Sequence, residues 1–292
     1  RSSLLGSVIK GQPVFVSSLI AGYRDADWPD GSPEQVAALN GSGYREFQND
    51  NFDRSPTVYV GSNDGMLHAF DASSGRERFA FVPDILIRNY RLTQYTQHEG
   101  PLVPGVDEKP IVTDAFINGA WRTVLVGALR LGGRGVFALD VTDPENPAAL
   151  WEFSNRDPGN GGTDCATGAR FCSSLGYTYE SVNVTRLRYD DRWVALVSSG
   201  YFPTDTLDPA SQSPKAAQTS LLVIDLATGK LIREIVTSTA PQFSAGTRSF
   251  GLSQAIVYDI ASDQLGDVAI AGDLAGNLWR FDLSAADPAD WS

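Results

Sequence analysis

Three aspartates, Asp259, Asp263 and Asp267, stand four residues apart in the segment Asp259-Ile-Ala-Ser-Asp-Gln-Leu-Gly-Asp267. Carboxylates so spaced in a short loop can converge on one cation. Ca²⁺ takes about six to eight oxygens, a number approached by three carboxylates, a backbone carbonyl near Leu265 and water. Two positions depart from a strong loop. Ala261 stands where Asp or Asn would add a ligand, and Gln264 stands where Gly would ease the sharp turn. The alternative is an acidic hairpin loop between two strands, which the spacing alone favours.

Other chemistry-bearing residues point less sharply. Asp25, Asp27 and Asp30 form a second acidic cluster, read as a solvated loop. Asp71, Asp140, Asp225 and Asp282 each end an apolar run, so each side chain is expected to accept backbone N–H groups of the turn that follows. Cys165 and Cys172 lie in a glycine-rich stretch without CxxC spacing or a nearby histidine. A metal half-site and a redox pair are therefore disfavoured against a disulfide in an oxidising compartment, with two free thiols as the alternative. His68 falls within a strand and reads as a packed or hydrogen-bonded core residue; His98 is isolated. Leu131-Gly-Gly-Arg-Gly135 reads as a hairpin turn. No nucleophile elbow, zinc-protease helix, P-loop or dinucleotide fingerprint appears, so no catalytic residue is assigned.

The elements that must position these residues repeat along the chain. One unit holds Thr57-Val-Tyr-Val-Gly-Ser-Asn-Asp-Gly-Met-Leu-His-Ala-Phe-Asp71, then Phe79-Ala-Phe81. Equivalent strands follow at 123–127, 135–140 and 150–153, at 193–200, 221–225 and 231–235, and at 267–272 and 276–282. An earlier strand precedes each set, at 8–16, 110–117, 181–187 and 253–258. Each unit is thus a four-stranded antiparallel sheet bounded by Asn-Asp-Gly or Thr-Gly turns. Strands such as Val-Phe-Ala-Leu are apolar on both faces, which requires a sheet on either side. Radially stacked sheets meet that need, so the expected fold is an all-β propeller forming a single domain over 1–292. The units are spaced more widely than the ~40–50 residues of a compact blade, and the excess is assigned to loops, including 19–54 and a short helix near 84–95. The chain opens at Arg1 and stops within its fourth unit, so further C-terminal blades are expected, with Trp291 a candidate start of another unit.

Composition narrows the function classes. Acidic residues outnumber basic ones 35 to 23, for a net charge of -12, which opposes phosphate-tracking nucleic-acid binding. No run reaches the ~18–20 apolar residues of a membrane-spanning helix. With 42% hydrophobic residues the chain can build a full core.

The segment Thr57–Ala72 resembles the repeat of quinoprotein propellers and, more specifically, the C-terminal propeller of the PilC/PilY family of type IV pilus tip-associated adhesins and assembly factors. Further stretches fit that family: Phe79-Ala-Phe-Val-Pro83, Arg122-Thr-Val-Leu-Val-Gly127, Gly132–Pro144 and Ala271-Gly-Asp-Leu-Ala-Gly-Asn-Leu-Trp-Arg-Phe-Asp-Leu283. The resemblance covers about 5–283. It implies a calcium loop with Asp259, Asp263 and Asp267 at the first, third and fourth carboxylate positions and a carbonyl at Leu265. Ala261 occupies the missing ligand position and the loop glycine is displaced to Gly266, so binding is expected to be weakened or lost. It also implies a non-enzymatic, extracytoplasmic protein at the periplasm, outer membrane or pilus tip. Such a protein promotes pilus extension, antagonises retraction and attaches to surfaces, with calcium as a switch. Its partners would be pilin subunits, other pilus components and host-cell or abiotic surfaces. The competing readings are a quinone-cofactor dehydrogenase on the same fold and a ligand-free interaction scaffold.

Overall fold

A computed structural model describes residues 5–18, 20–88, 95, 103–154, 175–179, 182–201, 219–237 and 251–292. Cys165, Cys172 and His98 lie outside them. The described strands form four antiparallel sheets in chain order. The first holds β1 (Val14–Val16), β2 (Thr57–Gly61), β3 (Leu67–Asp71) and β4 (Glu77–Phe81). The second holds β5 (Ile111–Ile117), β6 (Ala120–Ala128), β7 (Gly135–Asp140) and β8 (Ala148–Ser154). The third holds β9 (Val182–Arg186), β10 (Trp193–Ser198), β11 (Ser220–Asp225) and β12 (Leu231–Val236). The fourth holds β13 (Ile256–Tyr258), β14 (Val268–Gly272) and β15 (Leu278–Asp282).

Every sheet is a meander of β-branched and aromatic runs joined by tight turns, which suits half- or fully buried pleats. In the first three sheets the register shifts one residue before the strand-ending aspartate, at Ala69/Phe70, Ala138/Leu139 and Val223/Ile224. A bulge recurring at one place increases the local twist of the strand that carries it. The aspartates behave as their position predicts. Asp71 Oδ1 accepts from Ser73 N and Ser74 N, Asp140 from Thr142 N, Asp225 from Thr228 N and Asp282 from Ser284 N.

The sheets stack as blades. Inner strands β1, β5, β9 and β13 touch in succession, and one apolar layer lies between each neighbouring pair of sheets. β10 and β11 are buried at every residue, as expected of strands with a sheet on either side. Main-chain lacing ties the blades near the inner strand ends: Val106 N donates to Ser62 O, and Gly200 bridges Leu252.

Three expectations need correction. The stretch read as a loop at 19–54 instead carries helices α1 (Pro33–Leu39) and α2 (Tyr44–Asp50). Ser32 caps α1 by accepting from Gln35 N, Pro33 sits at its start, and the Asp25 carboxylate accepts from Tyr44 N (2.7 Å) and Arg45 N (3.1 Å) at the start of α2. Asp25 is therefore a helix cap, and Asp30 accepts from Gln35 Nε2, so the second acidic cluster is not simply a solvated loop. Trp291 does not open a new unit. Its ring is buried in the layer between the third and fourth sheets, its indole donates to Ala285 O, and Ser292 pairs with Asp282. The helix expected near 84–95 is described as α3 (Asp84–Arg88).

His68 is buried on β3, with Nδ1 2.5 Å from Glu77 Oε1 and Nε2 3.2 Å from both Asp64 oxygens. Burial alone pulls its pKa down, but the hydrogen bonds and charges of Asp64 and Glu77 outweigh it, so the net shift is upward. An imidazolium donates from both nitrogens and suits both carboxylates. This stabilisation is complete below the unfolded pKa of about 6.5 and is lost as pH rises through the elevated folded value. The melting temperature of the wild type should therefore fall, relative to His68→Gln, as the pH is raised above about 6.5; parallel profiles would refute the assignment.

Candidate metal centre

The Asp259–Asp267 segment is the turn between β13 and β14, closed where Asp267 N donates to Tyr258 O (3.0 Å). Its carboxylates first organise their own loop. Asp259 accepts from Asp263 N (3.2 Å) and Gln264 N (2.7 Å). Asp267 Oδ2 accepts from Ile260 N (2.8 Å) and Ala261 N (3.0 Å), and Asp263 Oδ1 from Leu265 N (3.3 Å). These bonds fold the segment back on itself, with Ser262 at φ 59° and Gln264 at φ 65°.

The result brings the three predicted residues together. One oxygen from each of Asp259, Asp263 and Asp267 lies within 4.8 Å of the others. Calcium–oxygen distances of about 2.4 Å put opposed ligands about 4.8 Å apart, so the spread suits a hard cation in an all-oxygen site. Asp267 is buried, Asp263 half-buried and Asp259 exposed, which leaves the site open to solvent on one side. Ala261 supplies no side-chain oxygen, and the Gln264 amide is engaged elsewhere. A calcium ion here would therefore meet fewer side-chain ligands than in a full calcium loop, and would need backbone carbonyls and water to complete its shell.

Sequence reasoning missed three neighbours. Arg188, just beyond β9, places Nη2 2.8 Å from Asp263 Oδ2, so one carboxylate already has a counter-charge. The Gln264 side chain accepts from Arg24 N (2.8 Å) and donates to Arg24 O (3.0 Å), 240 residues away in sequence. This anchor holds Gln264 in the left-handed conformation for which a glycine was expected. Gly266 is glycine for another reason: a Cβ there would lie 2.7 Å from Thr185 Oγ1 on β9. The third neighbour is the layer into which the loop plugs. The Leu265 side chain is buried in one apolar cluster with Trp28 and Tyr44 of the helical insert, Trp121 of the second sheet and Trp193 of the third.

The family model described as the PilY1 beta-propeller domain matches residues 34–291. The chain belongs to the PilY1 β-propeller family. Among curated relatives, the type IV pilus biogenesis factor PilY1 of Pseudomonas aeruginosa is 38% identical over 286 residues, which cover 97% of this chain and 21% of the relative. A PilY1 homologue of Xylella fastidiosa is 34% identical over 97% of this chain and 20% of its own length. The crystal structure of the Pseudomonas aeruginosa PilY1 C-terminal domain aligns with a TM-score of 0.65 and 35% identity, covering 92% of this chain and 45% of that one. The chain thus spans about a fifth of its curated PilY1 relatives. The PilC/PilY resemblance and the propeller fold both stand.

Proposed function

We propose that this chain is the propeller of a non-enzymatic type IV pilus biogenesis factor, acting at the cell envelope or surface, and that the Asp259–Asp267 loop is its calcium site. One observation carries the site: three carboxylates meet at a separation suited to one cation. The role rests on relatives named as pilus biogenesis factors, which are assembly proteins rather than enzymes. In this reading the protein works through contacts with pilin subunits and other pilus components. It favours extension over retraction and presents the tip to host-cell or abiotic surfaces. Bound calcium supplies the positive charge that offsets three clustered carboxylates. Without it, Arg188 and the loop N–H groups offset them only partly, and the loop loosens.

The ligand shortfall at Ala261 sets the expected affinity in the weak range of extracellular modules, ~10⁻⁴–10⁻³ M. Calorimetry should detect that binding in the wild type, and Asp263→Ala should abolish it. Calcium at a hundredfold excess over Kd should stabilise the wild type by ~2.7 kcal/mol. Cells carrying Asp263→Ala should display fewer surface pili. Absence of both heat and thermal shift at millimolar calcium would remove the ion from this account.

A further inference from the structure

The helical insert at 20–54 leaves the first sheet between β1 and β2, yet it is fastened to the second, third and fourth. Tyr44 Oη donates to Asp114 Oδ2 (2.7 Å) on β5. Glu34 accepts from Arg186 at the end of β9 and from Trp193 Nε1 (2.8 Å) on β10. The third fastening is the carboxylate loop itself. Gln264 clamps the backbone of Arg24 with two hydrogen bonds, while its own N–H is the 2.7 Å donor to Asp259. Next to it, Leu265 is buried in the same apolar layer as Trp28 and Tyr44 of the insert. Next to Arg24, Asp25 caps α2. Arg186 and Arg188 continue the pattern from the end of β9, one reaching Glu34 of the insert and the other Asp263 of the loop.

We infer that the insert and the carboxylate loop are one coupled unit, in which Gln264 relays cation occupancy to α1 and α2. The inference rests on the calcium reading above. A cation drawing Asp259 and Asp263 together fixes the backbone between them and Leu265, and with it the direction of the Gln264 side chain. A fixed Gln264 holds Arg24, and Arg24 positions the Asp25 cap. Coupling is reciprocal, so a docked insert must also pre-shape the loop and tighten cation binding by the same factor. Gln264 is then a positioning residue that touches no ion. Its replacement of the usual glycine becomes functional: glycine would satisfy the turn but remove the clamp that ties the loop to Arg24.

The test uses the full-length protein and calcium chloride. Amide exchange at 24–54 should slow when calcium is added to the wild type. Gln264→Ala should lower calcium affinity by about fivefold or more, with all three carboxylates intact, and should erase the calcium-dependent slowing. Asp25→Ala, which removes the cap of α2 and none of the three carboxylates, should weaken calcium binding in the same direction. Circular dichroism confirms that each variant is folded. Calorimetry on the wild type separates the two claims. If no calcium binds, the metal reading fails and the relay with it. If calcium binds but exchange at 24–54 is unchanged, or if Gln264→Ala binds as tightly as wild type, the relay alone is overturned.

Discussion

Replacing Glu34 with Ala is expected to destabilise the protein by about 3 kcal/mol or more. Glu34 is fully buried, and Arg186 is 1% exposed. The carboxylate accepts from Arg186 Nε (3.3 Å) and Nη2 (3.2 Å) and from Trp193 Nε1 (2.8 Å). Removing it leaves a buried guanidinium whose remaining carboxylate partner is Asp191, a half-exposed residue at 2.7 Å. It also orphans the indole donor. The full desolvation cost of a buried cation then falls on the folded state. Glu34→Gln keeps acceptors for the indole and one guanidinium nitrogen, and should lose less. The double change Glu34→Leu with Arg186→Met should recover much of the loss, because an apolar pair carries no desolvation cost. Urea denaturation of the series decides the matter. A loss below about 1 kcal/mol for Glu34→Ala would mean that water reaches Arg186 and that the insert is not locked.

Gly200→Val should be comparably severe, at about 3 kcal/mol or more, for a backbone reason. Gly200 has φ 68°, where an L-residue with a Cβ is strained by roughly 1–2 kcal/mol. A Cβ there would also overlap the carbonyl oxygen of Tyr177. That carbonyl accepts from Tyr201 N at 2.8 Å, and Tyr177 N returns a bond of 2.8 Å to Tyr201 O. Accommodating the side chain means breaking the bridge that ties the segment before β9 to the end of β10. Gly119, at φ 77° with open space around it, is the control. Gly119→Val should cost only the conformational part. Equal losses at the two positions would show that the close approach to Tyr177 contributes nothing.

Much of the architecture was readable before any coordinates because it is built from local rules. A β-branched run, a Gly-containing turn and an Asp that caps the next turn are decided within a dozen residues, and the chain repeats that plan in each unit. The positions of Asp71, Asp140, Asp225 and Asp282, and the dry faces of β10 and β11, followed from the same pattern. The α1–α2 insert is hard to read although its start signal is present. Ser32, Pro33 and Gln35 form an N-cap, an N1 proline and an N3 residue, but seven-residue helices carry too little periodicity to stand out beside a strong strand repeat.

For the carboxylate loop the division follows from distance along the chain. The amino-acid order alone determined which carboxylates meet, because residues four apart in one hairpin loop cannot lie far from each other, and it showed that Ala261 stands where a strong calcium loop carries a further side-chain oxygen. Only the tertiary structure decided what surrounds them: Arg188 against Asp263, Gln264 against Arg24, and Leu265 within the tryptophan layer. Those partners come from other blades and from an insert 240 residues away. They are brought together by the stacking of whole sheets, whose relative placement depends on the summed burial of many side chains rather than on any local motif.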